Sequence, residues 1–185
     1  MRTIKKKPAS IFDFVPLRGH NISFSLFNEG GQMPDMITNG NFAIRREAVR
    51  ALIDDGKRLN NGVKDAMLCR IRQNTIGRDV SFDNLCNFPK KAKDVAKNVI
   101  PLTVAEIIAP LTLSNKDSLI CRFDGYTVPI YINAAMCKLL YDMFWDCSWY
   151  ATGPLKGVLL IRGEVKLENV VAVVMPMQLK EGQGF

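Results

Sequence analysis

Histidine is all but missing from this chain. The single copy, His20, stands in a turn-rich stretch, so a His-based metal site or a Ser-His or Cys-His nucleophile pair would have to pass through one residue. Cysteine comes in an odd number, at Cys69, Cys86, Cys121, Cys137 and Cys147, and no two of them form a C-x-x-C pair. A complete intramolecular disulfide framework is thereby excluded, and the five read as buried thiols of a reducing compartment. No apolar run approaches the roughly 20 residues that span a bilayer. The opening "MRTIKKKPASIFDF" has basic residues but no apolar h-region and no small-residue cleavage site. A cytoplasmic protein without a membrane partner is expected. No glycine-rich phosphate loop accompanies the lysines. The carboxylates Glu106, Asp117 and Asp124 fall in turns or strands without the spacing of an acid–base pair, so no catalytic residue, cofactor or metal is expected and the chain does not read as an enzyme.

What is present is enough for a folded core. The 185 residues are 48% hydrophobic and 23% charged, which suits one domain with an extension. The formal net charge of +7 favours a polyanionic partner, most simply nucleic acid, although a basic surface also serves solubility.

The pattern changes along the chain. Residues 1–38 are basic, then strand-like, then turn-rich, and read as an N-terminal extension. "NFAIRREAVRALIDDGKRLNNG" gives a short strand over 41–44 and a helix stopped by Asn60-Asn61-Gly62, with Val49, Leu52 and Ile53 as its buried stripe. On a 3.6-residue period Arg46, Arg50 and Lys57 line one edge of that stripe as candidate DNA contacts; a merely solvated helix face explains the row equally well. A second helix over 63–72 precedes the basic stretch "FPKKAKDVAKNVIP", in which Lys90, Lys91, Lys93 and Lys97 are further DNA-contact candidates. "AEIIAPLTLSNKDSLICRFDGYTVPIYIN" reads as an antiparallel meander, with Asp124-Gly125 as a two-residue type I′ hairpin signal. Asn133 caps the next helix, where Met136, Leu139, Leu140, Met143 and Phe144 keep helical spacing and Lys138 pairs with Asp142 at i,i+4. After Gly153-Pro154, "GVLLIRGEVKLENVVAVVMPMQ" supplies up to three closing strands.

That last stretch runs an apolar strand into Met175-Pro176-Met177. Proline lacks an N–H, so its ladder partner is absent or displaced and the strand ends at a sheet edge or a bend. Two adaptable thioethers flank the bend, which either closes a core or lines an apolar pocket.

Strand, helix and strands, carried out twice, with a closing "VVMPMQL", resemble one domain of the bacterial DNA sliding clamp, the β subunit of the replicative polymerase. "FAIRREAVRAL" is similar to the opening strand and helix of a clamp domain, "LTLSNKDSLICRF" to its hairpin, and "TVPIYINAAMCKLL" to the strand leading into its second helix. The resemblance implies an α+β fold, with a clamp-like domain over 39–179 whose two helices pack on antiparallel sheets. It leaves a helical and basic insertion at about 60–102 and a tail at 180–185. It further implies a peptide-binding pocket at Val173, Val174, Met175, Pro176 and Met177, which would receive linear motifs of a DNA polymerase or other replication proteins. A family ring takes several such domains, so encircling duplex DNA would require self-association into an oligomer.

"SFSLF", at Ser23, Phe24, Ser25, Leu26 and Phe27, looks like the linear motif that clamps bind, with serine in place of the usual leading glutamine; it also looks like any alternating strand, the reading favoured here. The expected function is a clamp-like DNA replication accessory, a processivity factor acting through DNA binding and protein–protein interaction. The alternative is a clamp-mimicking inhibitor of viral or plasmid origin that binds replication partners or a host clamp.

Overall fold

Asn133 shows how local chemistry sets the architecture. It ends a strand, and its side-chain oxygen accepts hydrogen bonds from the N–H groups of Ala135 and Met136 at 3.0 and 3.3 Å, so the chain turns directly from strand into helix. The computed structural model describes residues 7–15, 25–27, 36–38, 41–48, 51, 81–109 and 119–177. These contain strands β1 (Ser25–Phe27), β2 (Met36–Thr38), β3 (Phe42–Arg45), β4 (Ile100–Ile108), β5 (Ile120–Asp124), β6 (Ile130–Asn133), β7 (Ser148–Ala151), β8 (Val158–Ile161) and β9 (Val170–Val174). Helices α1 (Phe82–Cys86), α2 (Ala92–Asn98) and α3 (Ala134–Met143) join them, with 3-10 turns at Ile11–Phe14 and Leu167–Asn169. None of the described helices is long and apolar enough to cross a membrane.

The strand order is β1-β2-β3-β9-β8-β7-β4-β5-β6, antiparallel throughout. Seven strands run from β1 to β4, and a register shift between Val104 and Glu106 then turns β4 into a second ladder with β5 and β6. The class is α+β, as expected, and the β4-β5-β6 meander is present.

Central strands are buried on both faces, which is why "VLLI" and "VVAVV" are continuous apolar runs. Ile44, Leu160, Ala172 and Val174 face one core, where α3 contributes Cys137, Leu139, Leu140 and Met143. Ala43, Leu159, Ile161 and Val173 face the opposite core, closed by Phe82 and Cys86 of α1 and by half-buried Val95 of α2. The sheet is thus the middle of three layers. A helical turn at 46–48 follows β3 directly and packs through Ala48 on the α3 side. The rest of that expected helix, and the one expected at 63–72, lie outside the described residues.

Several expectations need revision. The stretch assigned to an extension contributes to the core: Phe12 is 2% exposed and stacks near Tyr141 and Trp149, with ring centroids 5.2 and 6.1 Å away, while Met36 is fully buried in β2. At the end of the stretch expected as an insertion at about 60–102, β4 begins at Ile100 and Leu102 is buried. No two-residue hairpin forms at Asp124-Gly125; Phe123 pairs with Ile130, so the connection is longer. Gly125 adopts φ 120° instead, and any Cβ there would also overlap the carbonyl oxygen of Pro101. The closing segment from Gly157 onward holds two strands, β8 and β9, within the expected limit of three, while β7, before Gly153-Pro154, is a strand the sequence reading does not include.

Candidate functional site

The register of β9 determines what Met175, Pro176 and Met177 can do. Val173 and Val174 lie within β9, buried in opposite cores, and present no side-chain surface to a ligand. Beyond them the N–H of Met175 donates to Asn41 O and the N–H of Met177 donates to Tyr131 O, both at 2.7 Å. Alternate N–H groups of an extended chain point the same way. The segment therefore leaves β3 and takes up β6 along one edge, and Pro176, between the two donors, faces the other edge. There the β8–β9 ladder has already ended at Val158 and Val174, so the missing N–H costs no hydrogen bond.

Met175 is 44% exposed, whereas Pro176 and Met177 are half-buried. Across the strand pair stands Gly157, and a Cβ built there would overlap Val173 Cγ1 and lie 3.8 Å from the Met175 sulfur. The glycine therefore gives the buried Val173 side chain its room, and the Met175 sulfur lies at ordinary contact distance from that position. Leu155, in the same β7–β8 connection, is 63% exposed. Met175 and Leu155 together place apolar surface at this end of the sheet.

The five basic candidates among the described residues are not brought together. Lys90, Lys91, Lys93 and Lys97 are all exposed on α2 and the residues leading into it. None of the four makes an ion pair or side-chain hydrogen bond among the described residues. Arg46 belongs to the helical turn on the opposite side of the sheet and pairs with Glu47 at 3.3 Å. Arg50 and Lys57 lie outside the described residues. Arg45, not singled out in the sequence, is the firmly held arginine. It donates to Val170 O, Leu167 O and Asp83 Oδ1 at 2.9, 3.0 and 2.9 Å and lies over the Phe82 ring, fastening α1 to the sheet.

A second charged group sits on α3. Lys7 bridges Asp13 and Asp142 at 3.0 and 2.5 Å, Lys138 pairs with Asp142 at 3.1 Å, and Tyr141 Oη donates to Pro8 O at 3.1 Å. Burial acts to lower the Lys7 pKa, but the hydrogen bonds and charges of Asp142 and Asp13 outweigh it and the ammonium is held above its ordinary value. The Ser10 N–H, followed by Lys7, holds Asp13 below the usual carboxylate range. The signs cancel within this cluster.

Of the "SFSLF" stretch, Ser25, Leu26 and Phe27 form β1 and pair with β2, while Ser23 and Phe24 lie outside the described residues. Arg122 occupies both Glu106 and Asp124, at 2.9 and 3.1 Å; Asp117 is outside the described residues. Burial pushes the Cys86 and Cys147 thiols up to about 12, and it raises Cys137 as well, so these sulfurs are neutral near pH 7. The described residues thus offer an apolar strand exit and, separately, a row of lysines without ion-pair partners among them. No protein-family model, curated protein or solved structure matches the chain, and its own residues alone carry the functional reading.

Proposed function

We propose that the protein is a non-catalytic, clamp-like replication accessory that associates with duplex DNA through basic residues and docks polymerase-type peptides at the end of β9. The observation that supports it most is the exposure of Met175 at the point where the segment changes partners from β3 to β6. An adaptable apolar side chain on a hydrogen-bonded frame suits capture of an apolar anchor. Val173 and Val174 act behind the surface, as core that fixes the frame.

The docking half is tested by titrating a fluorescent polymerase-type peptide with wild type, Met175→Ala and Leu155→Ala. Loss of about 2 kcal/mol in the Met175 variant, with unchanged melting, is the expected result. A wild type that binds no such peptide removes the docking role. Ser25, Leu26 and Phe27 are already engaged in β1, which favours this reading over the host-clamp inhibitor.

A further inference from the structure

The free lysines on α2 carry the reading further, and they lie in the stretch that the clamp-like pattern does not cover. Val95 turns α2 toward the second core. At 100° per residue Lys93 and Lys97 stand about 160° around the helix from it, on the outward stripe. They are about 6 Å apart along the helix axis, close to the rise of two phosphates of one strand along the duplex axis, about 3.4 Å each. Lys90 and Lys91, also exposed, continue the positive charge ahead of the first turn.

Little opposes this charge locally. Asp94 is half-buried, and Asp83 is taken by Arg45. Phe88 packs against the second core, leaving no exposed aromatic among residues 81–99 on which a base could stack. Among the described residues on the other side of the sheet, Lys7 and Lys138 are matched by Asp13 and Asp142, and Arg46 by Glu47.

We infer that the polyanion surface of this protein is the outward face of α2 together with the residues leading into it, where Lys90, Lys93 and Lys97 follow the phosphates of one strand without reading bases, on the side of the sheet opposite α3. The inference rests on the proposal that the protein associates with duplex DNA, and it names the face and the chemical group bound. Backbone contact of this kind is indifferent to sequence, and it extends to duplex RNA as well as duplex DNA.

The test is fluorescence anisotropy with two labelled DNA duplexes of unrelated sequence and one RNA duplex, across a potassium chloride series. The triple variant Lys90→Ala, Lys93→Ala, Lys97→Ala should weaken all three complexes alike, by ~10-fold or more at low salt, and flatten the slope of log K against log salt by up to ~2.7. Alanine is a good helix former, so the melting temperature is expected to hold and serves as the folding check. A folded triple variant with the wild-type slope overturns the placement on α2. So does a slope change that appears in Arg46→Ala and not in the triple variant. Wild type that binds none of the duplexes at low salt removes the DNA association itself, a result distinct from either of those.

Discussion

The main-chain N–H of Met177 donates to the carbonyl oxygen of Tyr131 at 2.7 Å, joining the segment that leaves β9 to β6, the last strand in the sheet order. The sheet is curled far enough that β3 and β6 share one edge of a single extended segment. A bond of this kind contributes about 0.5–1.5 kcal/mol. Met177→Pro removes the donor, and Met177→Ala keeps it while removing the same side chain. Urea denaturation should find the proline variant less stable than the alanine variant by at least that amount; equal midpoints would show that the closure carries no stability.

Phe12 and Phe14 lie two residues apart with opposite surroundings, 2% and 87% exposed. Phe12→Ala should cost about 3–5 kcal/mol, whereas Phe14→Ala should stay within about 0.5 kcal/mol of wild type. Similar small losses in both would mean that residues 7–15 are an appendage after all.

The charged cluster on α3 predicts two pH limbs. Asp13 has a depressed folded-state value, so its contribution is present above the unfolded carboxylate value of 3.8 and is lost as pH falls through the lower folded value. Lys7 has a raised value, so its contribution is full below 10.5 and is lost as pH rises through the higher folded value. Melting temperatures from pH 2 to 12 should show a shallower acid limb in Asp13→Asn and a shallower alkaline limb in Lys7→Met. Profiles parallel to wild type would leave the cluster without a stabilising role.

Two glycines with positive φ are expected to differ. At Gly125 an added Cβ meets the carbonyl oxygen of Pro101, whereas at Gly163, φ 74°, nothing lies within 4 Å. Gly163→Ala should lose only the left-handed backbone penalty of about 1–2 kcal/mol. Gly125→Ala adds a backbone overlap of about 1–3 kcal/mol. Indistinguishable denaturation midpoints would contradict the close approach of the β5–β6 connection to β4.

Short-range chemistry made parts of this fold readable. Asn133 as a cap, the Lys138–Asp142 pair, the meander and the proline where a strand ladder ends all follow from neighbours within a few positions. What stayed hidden depends on distant partners. Phe12 looked peripheral because Tyr141 and Trp149 lie far along the chain. β7 escaped notice because Trp149 and Tyr150 face different cores, so its residues show no polar alternation. At the candidate site the methionines stood out by type, yet only the register separates exposed Met175 from buried Val173 and Val174. The lysines on α2 were visible as a run, whereas the layer separating them from Arg46 was not.

The place of β9 between β3 and β8 also has a consequence for how the chain reaches its folded state. Phe42 must find Val174, and all of α1, α2, α3 and strands β4 to β8 lie between them in the chain. Such non-local pairing slows folding, because a long loop has to close before the contact is rewarded. Until β9 arrives, β3 offers an apolar edge to any other extended chain. Refolding yield should therefore fall with protein concentration even where the native state is stable, and the dangerous interval is the wait of β3 for its late-made neighbour.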